Sequence, residues 1–74
     1  MDQKIKQVMA VALETDIALI SENSTSENVA NWDSLRHMNL IVALEEEFSI
    51  EFEEEEFIDL MSFSKIKERI NSKL

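Results

Sequence analysis

Apolar positions between residues 35 and 48 fall on two sides of one helix instead of one. At about 100° per residue, His37, Leu40, Ile41, Leu44 and Phe48 share a sector roughly 100° wide, the usual width of a core-facing stripe. Leu35, Met38 and Val42, spaced i, i+3, i+7, make a narrower strip on roughly the opposite side, flanked by Asn39, Glu45 and Glu46. The pattern predicts a helix with a core face and an outward apolar strip suited to gripping other proteins. Either Asp33 or Ser34 can cap its free N–H groups.

Three further helices follow from the same reading. The first covers about residues 3–14, with Ile5, Val8, Met9, Ala12 and Leu13 at core spacing. A polar connection over about residues 15–32 comes next, and structureless loops of that length are uncommon in compact domains. Ile17, Ile20, Val29 and Trp32 are expected to plug it onto the core, with an extra helical turn near residues 16–19. After the long helix, Glu53 to Glu56 open a brief third helix, where carboxylates complement the helix dipole. Phe57, Leu60 and Met61 are expected to supply its buried face. Ser62 can cap a last helix with the core stripe Phe63, Ile66, Ile70 and Leu74, and Arg69 and Lys73 sit where the dipole favours bases. Nothing alternates with period two for long enough to make a strand. The expectation is an all-α, single-domain chain over residues 1–74, a small four-helix bundle with a long first loop and a short third helix.

With Asp33 as the cap, Trp32 and His37 occupy the two positions that pack together in a hydrophobic staple. His37 then reads as a buried, hydrogen-bonded histidine, and Trp32 as packing at the loop-to-helix junction. Ser34 has no visible activation as a nucleophile. That would need a base within hydrogen-bond reach, and the one histidine faces the core.

Charge and composition narrow the function. The chain of 74 residues carries a net charge of −9, and nine acids with no base lie between Glu45 and Asp59. Such a surface repels nucleic acid and anionic lipid and attracts basic patches on partner proteins. Mutual repulsion among these acids predicts a fold that salt stabilises. With no cysteine and one histidine, neither disulfides nor a usual zinc site is expected. No calcium loop is indicated, as glycine is absent and no ladder of Asp and Asn is present. No apolar run approaches the roughly 20 residues of a membrane span. Met1-Asp2-Gln3-Lys4 lacks the apolar core of a signal peptide. A cytoplasmic monomer is expected.

Asp33-Ser34-Leu35, followed by Leu40-Ile41-Val42-Ala43-Leu44-Glu45-Glu46-Glu47-Phe48, closely resembles the attachment motif and second helix of acyl carrier proteins. The resemblance extends over almost the whole chain, and it implies a bundle of acyl-carrier type. It further implies that Ser34 receives 4′-phosphopantetheine, derived from coenzyme A, with Asp33 as its acidic neighbour. The thiol of that arm would carry acyl or aminoacyl groups as thioesters. Leu35, Arg36, Met38, Asn39, Val42, Glu45 and Glu46 fall on the partner-binding face implied by the resemblance. The implied partners are a phosphopantetheinyl transferase, an acyl-loading ligase or transferase, and synthases or acyltransferases with basic docking patches. Two departures stand out. Asn31-Trp32 replaces the small residue usual before the motif in carriers of bacterial fatty acid synthesis, and Arg36 and Asn39 stand where those tend to carry acids. Trp-Asp-Ser-Leu followed by histidine looks more like stand-alone carriers of specialised pathways. The alternative is a small acidic interaction module in which Ser34 is a simple helix cap.

Overall fold

The computed structural model describes residues 2–74; Met1, the first residue of the expected domain, lies outside them. Among the described residues the chain forms α1 (Asp2–Ala12), a 3-10 turn (Ile17–Leu19), α2 (Ser34–Phe48), α3 (Glu54–Phe57) and α4 (Phe63–Lys73). The all-α expectation holds, with the long first connection and the short third helix.

In α1 the residues Ile5, Val8 and Met9 are buried, as is Leu13 just past its end. Ala12 is only partly buried, and Ala10 is the alanine that turns inward. The helix stops two residues before the expected end because Glu14 adopts a left-handed conformation, φ 53°. The Thr15 N–H then donates to the Ala10 carbonyl at 3.0 Å, and the Glu14 N–H to that of Val11 at 3.2 Å. This is a Schellman closure, which satisfies carbonyls the helix leaves free. α2 ends the same way at Ser49, φ 54°, with the Ile50 N–H donating to the Glu45 carbonyl at 3.1 Å. Glycine is the residue such positions favour, and this chain has none.

The long connection is ordered by its own polar side chains. Asp16 caps the 3-10 turn by accepting from the Ala18 N–H at 2.9 Å. The buried Ser24 hydroxyl accepts from the Ser21 N–H, and the Asn28 side chain accepts from the Thr25 N–H, both at 2.8 Å. The loop then meets the segment entering α4 in an antiparallel bridge of Thr25 with Ser62. There the Ser26 N–H donates to the Met61 carbonyl and the Phe63 N–H to that of Ser24. Ile20, Val29 and Trp32 plug the loop onto the core as expected, while Ile17 packs at its edge. This anchoring fixes where α2 begins.

The core face of α2 is His37, Leu40, Ile41 and Leu44, with Phe48 partly buried. At the C-terminal end the structure corrects three expectations. Leu60 is buried as expected, but Phe57 is only partly so, and Met61 is exposed because the chain there turns out of α3 toward α4. Leu74 is exposed, since it lies past the last turn of α4. Glu56, one of the four successive acids at the start of α3, is buried. It takes an ion pair from Lys73 at 3.2 Å and one from Arg69 at 3.5 Å. The two bases therefore bridge α4 to α3 as well as standing near the negative end of their own helix.

Candidate functional site

Asp33 resolves the question of the cap. Its backbone is extended, with φ −103° and ψ −178°, and its carboxylate accepts from the Arg36 N–H at 2.8 Å. Its carbonyl accepts the first helical bond, from the His37 N–H, also at 2.8 Å. Ser34 is therefore the first helical residue, exposed and relieved of capping duty. The reading of Ser34 as a simple cap is overturned.

The neighbouring charges are arranged in a chain. The Arg36 guanidinium reaches the second Asp33 oxygen at 2.7 Å and Glu14 at 3.0 Å, tying the start of α2 to the end of α1. The Asp33 carboxyl is held below its ordinary value of 3.8 chiefly by the Arg36 backbone N–H; desolvation opposes the fall, and the Arg36 guanidinium adds to it. No acid lies in the first turn of α2. Free N–H groups and the positive end of the helix dipole thus sit beside the Ser34 hydroxyl, with the one adjacent carboxylate already matched to a cation. These residues fit a phosphate ester on Ser34.

His37 forms the staple with Trp32, their rings stacked at a centroid distance of 6.1 Å. The Trp32 Nε1–H donates to His37 Nδ1 at 2.9 Å. An indole nitrogen can only donate, so Nδ1 must accept and the ring proton sits on Nε2. That proton is donated to the Phe57 carbonyl at 2.6 Å. Both ring nitrogens are occupied, and neither is left to act as a base on Ser34.

The outward strip is as the spacing predicts. Leu35 is 71% exposed, Met38 44% and Val42 50%, and Asn39 and Glu46 are exposed beside them. Two residues expected on this face have intramolecular work instead. Arg36 is spent on Asp33 and Glu14. Glu45 is only partly exposed, and one of its carboxylate oxygens accepts from the Phe52 N–H at 2.9 Å, holding the link between α2 and α3.

A shallow cleft of about 370 Å³ opens beside Ser34, between α2 and the α3 segment. Met38, Phe57, Ile58 and Met61 line it, with His37 at its inner side and Glu54 at the rim. Their spacing places Phe57 and Met61 in the core and leaves Ile58 unassigned. The available signal was Ile58 itself, a large apolar residue off the expected buried face, which is 73% exposed. Among the described residues no three His, Cys, Asp or Glu side chains are gathered to hold a metal ion. No helix there is long and apolar enough to cross a membrane.

Residues 3–70 match the family model described as "Phosphopantetheine attachment site". The chain is 33% identical over 72 residues to a protein of Thermosynechococcus vestitus named "Acyl carrier protein", covering 97% of this chain and 89% of that one. A protein of the same name from Buchnera aphidicola subsp. Schizaphis graminum is also 33% identical over 72 residues, covering 97% of this chain and 91% of the relative.

Proposed function

We propose, from the premise that this chain belongs to the acyl carrier protein family, that Ser34 is its attachment point and the outward strip of α2 its docking face. Members of this family are carriers, not catalysts, and their prosthetic group is 4′-phosphopantetheine. A phosphopantetheinyl transferase and acyl-handling enzymes are the partners this implies. When bound, the arm supplies a thiol that holds the cargo as a thioester.

The observation that carries the assignment is the division of labour at the start of α2. Asp33 does the capping, and Ser34 is left with an exposed hydroxyl at an anion-favouring helix end. In the loading reaction the Ser34 Oγ bonds to the phosphorus nearer the pantetheine of coenzyme A. The pyrophosphate linkage breaks, adenosine 3′,5′-bisphosphate leaves, and the hydroxyl proton passes to a base of the transferase. Docking is centred on Leu35, Met38 and Val42, with Asn39 and Glu46 at the rim facing basic patches. Arg36 and Glu45 serve the face from behind, by holding its two ends in place. The cargo is an acyl or aminoacyl group, the chain works as a monomer, and residues 1–74 act as one domain.

Intact-mass spectrometry after incubation with coenzyme A and a transferase tests the assignment. One phosphopantetheine should appear on the wild type and none on Ser34→Ala. Equal modification of the alanine variant, or an unmodified wild type with several promiscuous transferases, rejects it.

A further inference from the structure

The cleft beside Ser34 stops at His37. The ring is buried and held from two directions, by the Trp32 indole on the loop side and by the Phe57 carbonyl on the α3 side. Leu40 and Ile41 stand three and four residues further along α2, next on the same helical face, and both are essentially inaccessible. Swinging the ring aside would leave the buried indole N–H and the part-buried Phe57 carbonyl without these partners, a loss that folded proteins avoid. The outer wall of the cleft is different in kind. Ile58 and Met61 are exposed, and α3 is a single turn held by polar pins: the Phe57 carbonyl on His37, and Glu56 on Arg69 and Lys73.

We infer that the Trp32–His37–Phe57 bridge closes the cleft off from the core. Cargo on an arm attached at Ser34 then rests in the surface cleft between α2 and α3, and His37 is the positioning residue that limits what the cleft encloses to a short acyl group. The inference rests on Ser34 being the attachment point. A cleft of about 370 Å³ lies near the lower end of ligand-pocket sizes, and its apolar wall suits a short acyl group. A long chain has no way past His37 and would lie over Met38 and Ile58 into water.

The test uses the whole chain loaded from butyryl-, octanoyl- and dodecanoyl-coenzyme A, with intact mass confirming each product. A failure to load sinks the attachment assignment, and this inference with it. On the loaded wild type, methyl NMR should show shifts at Met38, Ile58 and Met61. Core methyls of Leu40, Leu44 and Ile66 should shift no more with dodecanoyl than with butyryl, and the melting temperature should not rise with chain length. In His37→Ala and in Trp32→Phe, which removes only the indole donor, dodecanoyl should shift those core methyls and raise the melting temperature above that of the butyryl form. Should His37→Ala fail to fold, Trp32→Phe decides. Core shifts that grow with chain length in the wild type overturn the inference, as does a folded variant whose core ignores the longer chain.

Discussion

Leu44 and Val42 are two residues apart on α2, yet their substitutions should separate folding from docking. Leu44 is fully buried, and Val42 is 50% exposed. Leu44→Ala removes core atoms and leaves a cavity, at a cost of about 2–5 kcal/mol. For 74 residues the whole stability is on the order of 4–11 kcal/mol. A loss of about 3 kcal/mol therefore lowers the melting temperature by roughly 12–24 °C in a domain of this size. Val42→Glu loses little burial and adds repulsion from Glu45 and Glu46, three and four residues on, each pair costing about 0.2–0.5 kcal/mol. Its total is about 1 kcal/mol, or roughly 4–8 °C. On the proposed docking face the order reverses, because a carboxylate placed in the apolar strip must be desolvated by any partner. A loss of about 2 kcal/mol or more there slows transfer of phosphopantetheine by over tenfold at limiting carrier. Thermal melts and intact-mass time courses on both variants give the two readings. A Val42→Glu melt as low as that of Leu44→Ala, or its modification at the wild-type rate, would refute the division of faces.

Asp33→Asn keeps a good cap but loses the charge matched to Arg36. The folded Asp33 carboxyl titrates below its ordinary value, so its stabilisation is full above that value and fades as pH falls through the depressed one. Wild type should melt above the variant at neutral pH and converge with it below about pH 4, and a gap that widens in acid would contradict the pairing. Ser49→Gly should stabilise the fold by up to about 1 kcal/mol, read by urea denaturation, because Ser49 sits at a left-handed helix end. Of the nine acids between Glu45 and Asp59, Glu47, Glu56 and Asp59 have base partners among the described residues, and the other six stand as mutually repelling carboxylates there. The melting temperature should rise with sodium chloride and at lower concentrations with magnesium or calcium, less so after Glu54→Gln and Glu55→Gln; a flat or falling salt series would show no strain.

The parts of this fold that can be read from sequence are those where a pattern repeats. α2 has 15 residues, enough turns for two apolar stripes to separate, and both faces lie where the spacing places them. Ser62 before the i, i+3, i+7 stripe of Phe63, Ile66 and Ile70 marked the start of α4 in the same way. Helix ends were harder, because without glycine the two left-handed stops fall on Glu14 and Ser49, which carry no signal of their own. α3 is four residues, too short for a period to form, so Met61 and Ile58 could not be sorted into core and surface. The four successive glutamates are chemically identical, and nothing local distinguishes Glu56. Its inward turn depends on Arg69 and Lys73 arriving from α4, which is a long-range fact.

At the site, sequence supplied the residues and structure supplied their division of labour. Asp33 and Ser34 are equally good caps by type, and the choice between them rests on which residue is extended and which is helical. Once Asp33 is the cap, Arg36 gains a purpose that its position alone does not suggest. A base near the start of a helix opposes the dipole, and as a docking residue it would interrupt an acidic face. Placed on Asp33 at 2.7 Å and on Glu14 at 3.0 Å, it does something else. A bare carboxylate directly beside the phosphodiester proposed at Ser34 would repel it. The guanidinium offsets that charge while leaving the Asp33 oxygen on the Arg36 N–H, so the residue that caps the helix does not disfavour the group proposed for that helix end.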